Sequence, residues 1–186
     1  MPGMHSMTPE LIEERDDLLF GVRRSARYHA HRVRFFDQIG KAVRILAAVA
    51  GIGTITTLLA SIGDWATHGL AASVAFFSAL DVVLDFAAKA RLHTDLYRRF
   101  IDLEKRIVGS RAGMNQDLLA ELTNARLSIE QEEPPILTIL DCICHNELVK
   151  AMDCNDGELV RLTFAQRLLA DVLDWKPHCI CKQQPV

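Results

Sequence analysis

The sequence predicts an all-α protein: a two-pass transmembrane helical hairpin with an N-terminal amphipathic helix and a C-terminal cytoplasmic helical bundle. Three observations predict it. A run of 19 residues, Ile45 to Gly63, carries no charge. Lysine and arginine crowd the outer flanks of this run and of a second apolar run, and none lies between the two. Elsewhere apolar residues recur at spacings of three and four, the helical period, with no convincing strand pattern and no internal repeat.

Composition narrows the class before any element is placed. The chain has 186 residues, 49% of them hydrophobic and only 24% charged, with a mean hydropathy of +0.11. Aromatic residues make up only 6%, so the excess hydropathy comes from aliphatic and small residues. Disordered chains are poor in apolar residues, which excludes disorder for the bulk of this one. Ten glycines and six prolines exclude a collagen-like or Gly/Pro low-complexity chain. A net charge of −3 is too mild to point to nucleic acid as a partner.

The elements follow in order. Thr8-Pro9-Glu10 reads as a helix N-cap followed by proline at the first helical position, so a helix is expected from Pro9 through about Arg34. Its first turns are acidic, with Glu10, Glu13, Glu14, Asp16 and Asp17 set between Leu11, Ile12, Leu18, Leu19 and Phe20. Next comes the charge-free run. As a helix it spans roughly 28 Å, close to the roughly 30 Å hydrocarbon core of a bilayer. Glycines 51 and 53 with Thr56 and Thr57 weaken a helix in water, whereas small residues are common where membrane helices touch. Ala47, Gly51, Gly53, Thr57 and Ser61 form the expected helix-packing stripe.

Asp64 to His68 is expected to be a short link, with Trp65 as an interfacial aromatic at the tip. The second apolar run, Gly69 to Ala88, carries Asp81 and Asp85, and Lys89 and Arg91 close it. A link this short forces two spanning helices into an antiparallel pair. Before the first run stand Arg23, Arg24, Arg27, Arg32, Arg34, Lys41 and Arg44, and after the second stand Lys89, Arg91, Arg98, Arg99, Lys105 and Arg106. The positive-inside rule then puts both termini in the cytoplasm. The first seven cations are read as anchors for anionic headgroups, against the alternatives of a solvated face or a nucleic-acid contact. The organisation expected is a cytoplasmic helical segment over residues 1–41, a transmembrane hairpin over 42–88 and a cytoplasmic helical domain over 89–186.

Leu92, Leu96, Phe100, Leu103 and Ile107 mark an amphipathic helix continuous with the second apolar run. Gly109 and Gly113 break it. Three further helices are expected: Gln116 to Gln131, Ile136 to Met152, and Glu158 to Trp175.

Asp81 and Asp85 stand one helical turn apart. Ionised carboxylates in hydrocarbon are costly and face a water-filled cavity, a partner or the interface. One reading is an acidic ring or polar seam lining an oligomeric pore. The other places them at the cytoplasmic interface against basic neighbours, Lys89 being four residues beyond Asp85. The five cysteines, with His145 and His178, make Cys142-Ile143-Cys144-His145 and His178-Cys179-Ile180-Cys181. A C-x-C on a helix points its sulfurs to nearly opposite sides, and the C-x₂-C knuckle of a zinc site is missing, so reduced thiols are expected and no metal. No phosphate loop, G-x-S-x-G or H-E-x-x-H occurs, and His93, Asp95 and Glu104 are read as solvated-face residues. Neither catalytic residues nor a cofactor is expected.

The arrangement as a whole is similar to a known family. Arg27-Tyr28-His29-Ala30-His31-Arg32 and Phe35-Phe36 lead into the hairpin, Lys89-Ala90-Arg91-Leu92-His93 leads out, and Leu96-Tyr97-Arg98-Arg99-Phe100 opens the helical tail. Over roughly residues 20 to 175 this resembles the SLATT family, bacterial two-transmembrane effector domains of conflict and antiviral systems associated with nucleotide second messengers. The resemblance implies an oligomeric inner-membrane effector that perturbs or permeabilises the bilayer, with no catalytic residues. It implies the lipid bilayer and further copies of the chain as partners, together with a nucleotide-signalling or sensor protein. Two other readings stand beside it: a membrane-anchored helical adaptor without pore activity, and a soluble bundle with a buried helical hairpin.

Overall fold

A computed structural model describes residues 8–60, 63–152, 159–176 and 181–182. Helices dominate it: α1 (Pro9–Leu59), α2 (Asp64–Leu84), α3 (Phe86–Gly109), α4 (Gln116–Glu130), α5 (Thr138–Ala151) and α6 (Phe164–Leu169). A 3₁₀ turn, Arg111–Gly113, separates α3 from α4. Two-residue strands β1 (Val160–Arg161) and β2 (Cys181–Lys182) pair antiparallel, Val160 opposite Lys182 and Arg161 opposite Cys181.

Local chemistry sets the ends of these helices. Thr8 caps α1, its Oγ1 accepting from the Leu11 N–H at 3.3 Å. The helix then continues far past Arg34, its expected end, because nothing between Arg34 and Leu59 breaks the hydrogen-bond ladder. Asp64 to His68 is not a link but the opening of α2, with Asp64 placing a negative charge at the helix N-terminus. Asn115 caps α4 by accepting from the Leu118 N–H at 2.8 Å. The single helix expected over Glu158–Trp175 is instead β1 followed by the six residues of α6. Its start is fixed by a reciprocal capping box between Thr163 and Gln166.

The chain divides into two compact units: Met1–His31 with Thr94–Val186, and Arg32–His93. In the first unit the buried stripe of α1 (Leu11, Leu18, Val22, Ala26) packs on Leu96, Phe100, Leu103 and Ile107 of α3 and on Leu119, Leu122 and Ile129 of α4. The stripe read from the α3 sequence is thus the buried one, except that Leu92 is exposed. A smaller cluster joins Tyr28 to Ile139, Leu140 and Cys144 of α5 and to Ala170. Two distant side chains tie down the start of α5. The Tyr28 hydroxyl accepts from the Leu137 N–H at 3.0 Å, and the Asp174 carboxylate accepts from the Thr138 and Ile139 N–H groups at 2.8 and 2.9 Å.

In the second unit the core is small: Phe36, Val43, Phe86 and Ala90. Pairs along α1 and its neighbours define the packing. Thr67 donates to Thr57 at 3.1 Å, a Cβ on Gly53 would stand 3.1 Å from Leu70 Cδ1, and one on Gly51 3.9 Å from Val74. Further along, Arg44 meets Asp81 at 3.8 Å and Gly40 faces the Cβ of Phe86. Within the apolar part the hydroxyls bond back to their own helices: Thr54 to the Ala50 carbonyl, Thr56 to Gly53, Thr57 to Thr54 and Ser73 to Gly69.

Candidate functional site

The apolar windows of the second unit are its most distinctive surface. Ile45, Leu46, Val49, Ile52, Ile55 and Leu58 of α1, and Phe76, Val82 and Val83 of α2, are exposed. Only 11% of the first apolar window and 6% of the second is buried. A core helix hides such residues; these stand open. The small residues do the opposite. Ala47, Gly51, Gly53 and Thr57 are half-buried, so the small stripe is the face that meets protein and the branched aliphatics form the face that does not. Ser61, the last member of the expected stripe, lies outside the described residues.

Asp81 and Asp85 come out differently from each other. Asp81 is half-buried, its Oδ2 3.8 Å from Arg44 Nη1. Asp85 is not on the helix of Asp81 at all, since α2 ends at Leu84. It adopts the left-handed conformation, φ 40° and ψ 60°, and its N–H still donates to the Asp81 carbonyl. Its Oδ1 accepts from the Ala88 N–H at 3.0 Å, three residues on, which makes it the N-cap of α3. Asp85 therefore closes one helix and opens the next. The single continuous helix and the shared acidic face expected from sequence do not form.

The basic residues before the first window also separate. Arg23 Nε donates to Glu104 Oε1 at 2.7 Å, and Arg24 lies 3.2 Å from Asp141. Both guanidiniums are committed to protein carboxylates rather than free for headgroups. Arg27 is half-buried along a cleft of the first unit. Arg32 lies over the Phe36 ring, 4.5 Å from its centroid. Arg34 and Lys41 are exposed, and Arg44 is the partner of Asp81.

Sequence reasoning missed two buried histidines. His29 is sandwiched in the first unit, stacked on Phe100 at 5.5 Å, with its Nε2 3.0 Å from Glu133. His93, read as a solvated-face residue, is buried in the second unit and stacks on Phe36 at 5.6 Å. Both follow the same logic: an imidazole has a flat apolar face to bury and two polar edges that require partners. The signal lay in position, because His29 and His93 fall in register with buried stripes.

Cys142 and Cys144 lie on α5 as free thiols, the first half-buried and the second fully buried. Burial pushes the Cys144 thiol up from 9.0 to about 12, and raises Cys142 as well. Cys154, Cys179 and His178 lie outside the described residues. Among the described residues no group of three or more His, Cys, Asp or Glu is placed to hold a metal ion.

The chain is thus a helical protein with two stretches long and apolar enough to cross a membrane, within Pro9–Leu59 and Asp64–Gly109. Comparison with protein-family models, curated proteins and solved structures finds no match.

Proposed function

We propose that this chain is a two-pass inner-membrane protein with both termini in the cytoplasm, acting as an oligomeric effector that perturbs the bilayer in a bacterial antiviral or conflict response. The observation that carries the membrane part is the exposure of the apolar windows. Each aliphatic side chain left in water forgoes roughly 1.5–3 kcal/mol of burial, and hydrocarbon relieves that cost without any further protein contact. The hairpin is supported by the contact pairs of the second unit: as α1 is followed backwards from Thr57 through Gly53, Gly51 and Arg44, its partners advance from Thr67 through Leu70, Val74 and Asp81. The charge flanks support the orientation. The effector role itself comes from the SLATT-like layout.

The second reading, a membrane anchor for a helical adaptor without pore activity, is favoured by one observation. Asp81 has a cationic partner and Asp85 serves as a helix cap, so neither is left as a free carboxylate to line a pore. Two assays separate the readings. Carbonate washing of membranes tests the anchor: release of the chain into the supernatant refutes both. A potential-sensitive dye during induced expression tests the effector: depolarisation supports it, and membrane residence with an unchanged potential leaves the adaptor. If depolarisation persists in full when Asp81 and Asp85 are both replaced by Asn, any leak does not run along the carboxylates.

A further inference from the structure

The buried stripe of α1 in the first unit runs Leu11, Arg15, Leu18, Val22, Ala26 and His29. Arginine at the second of these positions is the anomaly. Arg15 is 7% exposed, where the helical period calls for an apolar side chain. A buried charge is costly unless paired. Its partner here is the adjacent residue: Nε and Nη2 both reach Asp16 Oδ1, at 3.0 and 2.6 Å. Neighbours in sequence do not face each other on a helix, so Arg15 must curl back to an acid whose side chain is itself 55% exposed.

What Arg15 faces is a cleft of about 360 Å³. Two more guanidiniums line it. Arg23 spends its Nε on Glu104, and Arg111, on the 3₁₀ turn after α3, is exposed at the rim. Asp16 is the one carboxylate among the lining residues, and with Glu104 holding Arg23 the three guanidiniums carry one charge more than the carboxylates they touch. Leu19 and Val108 supply an apolar wall, with the fully buried Ile107 behind them. Guanidiniums present the paired N–H donors that phosphate oxygens accept, and of these three Arg15 is already desolvated. The volume lies in the usual range for small-molecule sites.

We propose that this cleft binds a phosphate-bearing small ligand, with Arg15 and Arg111 gripping the phosphate and the Leu19–Val108 wall taking its apolar part. The phosphate comes either from a soluble molecule or from a lipid headgroup. The site does not depend on the membrane reading, because all its residues belong to the first unit.

The test uses the full chain in a non-ionic detergent, with thermal midpoint and calorimetric titration as readouts. Inorganic pyrophosphate probes the soluble source. Dihexanoyl phosphatidylglycerol probes the headgroup, with dihexanoylglycerol, which has the same acyl chains and no phosphate, as its control. Sodium chloride is matched in ionic strength throughout. Binding of pyrophosphate alone assigns a soluble ligand, and binding of phosphatidylglycerol alone assigns a lipid. In either case Arg15→Gln and Arg111→Gln weaken binding by about tenfold or more, the loss of one charge-assisted hydrogen bond, and Arg161→Gln on β1 leaves it unchanged. Arg111 is at the exposed rim, so its variant reports even if Arg15→Gln fails to fold. The proposal is overturned if neither probe exceeds matched chloride, or if Arg111→Gln binds as tightly as the unaltered chain.

Discussion

Replacing Asp85 separates a helix cap from a pore carboxylate. Two local terms hold the junction. The Oδ1 bond to the Ala88 N–H is an N-cap, whose loss to Ala costs about 1 kcal/mol. The residue also sits at φ 40°, where a side chain with a Cβ is disfavoured by roughly 1–2 kcal/mol and Asp or Asn is better tolerated than Ala. Asp85→Ala loses both and is expected to destabilise by about 2 kcal/mol, roughly a thirtyfold fall in the folded-to-unfolded ratio. Asp85→Asn keeps the acceptor oxygen and the tolerance of φ 40°. It gives up only the charge at the α3 N-terminus, about 0.5 kcal/mol. Asp85→Gly loses the side-chain cap but removes the backbone strain, and the two nearly cancel. The expected order of stability is therefore aspartate and glycine about level, asparagine slightly below them, and alanine last. Denaturant unfolding in detergent, followed by circular dichroism at the helical band, measures it. An asparagine variant as weak as alanine would show that the charge and not the cap holds the junction, and a glycine variant as weak as alanine would remove the backbone argument.

Three further outcomes follow from side chains elsewhere. Cys144, raised to about 12 by burial, stays a thiol near neutrality. Peptide mapping after maleimide labelling at pH 8 should find it unmodified in the native chain and modified once denaturant is added. Native labelling as fast as that of a free cysteine would contradict its burial. Asp174→Ala strips the acceptor from two backbone N–H groups at the start of α5. It should cost about 1–3 kcal/mol in denaturant unfolding, whereas Asp174→Asn recovers part of the loss. Asp141 titrates in the reverse of the usual carboxylate sense. Burial raises it, outweighing Arg24 and His145, so its neutral form suits the folded state and its contribution is lost as pH rises from about 3.8 through the raised value. The stability difference between Asp141→Asn and the unaltered chain should then move in the variant's favour as pH increases across the acid range, and movement the other way refutes the assignment.

Periodicity and charge made the helical class and the apolar windows legible. The 3.6-residue repeat identifies Leu96, Phe100, Leu103 and Ile107 as core from letters alone, because burying one stripe is what makes the α3 helix fold. What stayed hidden is chemistry that acts through space. Nothing near Thr138 in sequence announces that Asp174 will cap α5, and nothing around Asp85 distinguishes a junction from a helix interior, since its neighbours Leu84 and Phe86 continue the apolar run. The late start of α6 could have been found. Thr163 and Gln166 have the spacing of a capping box, but the preceding Leu159, Val160 and Leu162 fit a helical stripe equally well and masked it. At the candidate site the small stripe from Ala47 to Thr57 reads directly as a contact face. A fate such as the Arg23 bond to Glu104 depends on α3, far along the chain.

The back-bonded hydroxyls of the apolar windows carry a consequence for how such a segment partitions. A residue-by-residue transfer scale charges each threonine and serine for a hydroxyl that must be stripped of water. Here Thr54, Thr56, Thr57 and Ser73 have already given their protons to carbonyls of their own helices. The desolvation is met within each helix before it encounters any other phase. The folded windows are therefore more oil-soluble than their letters. Thr57, which also accepts from Thr67, is the member of this group whose exchange for valine would change how one helix finds the other and not merely how either one dissolves.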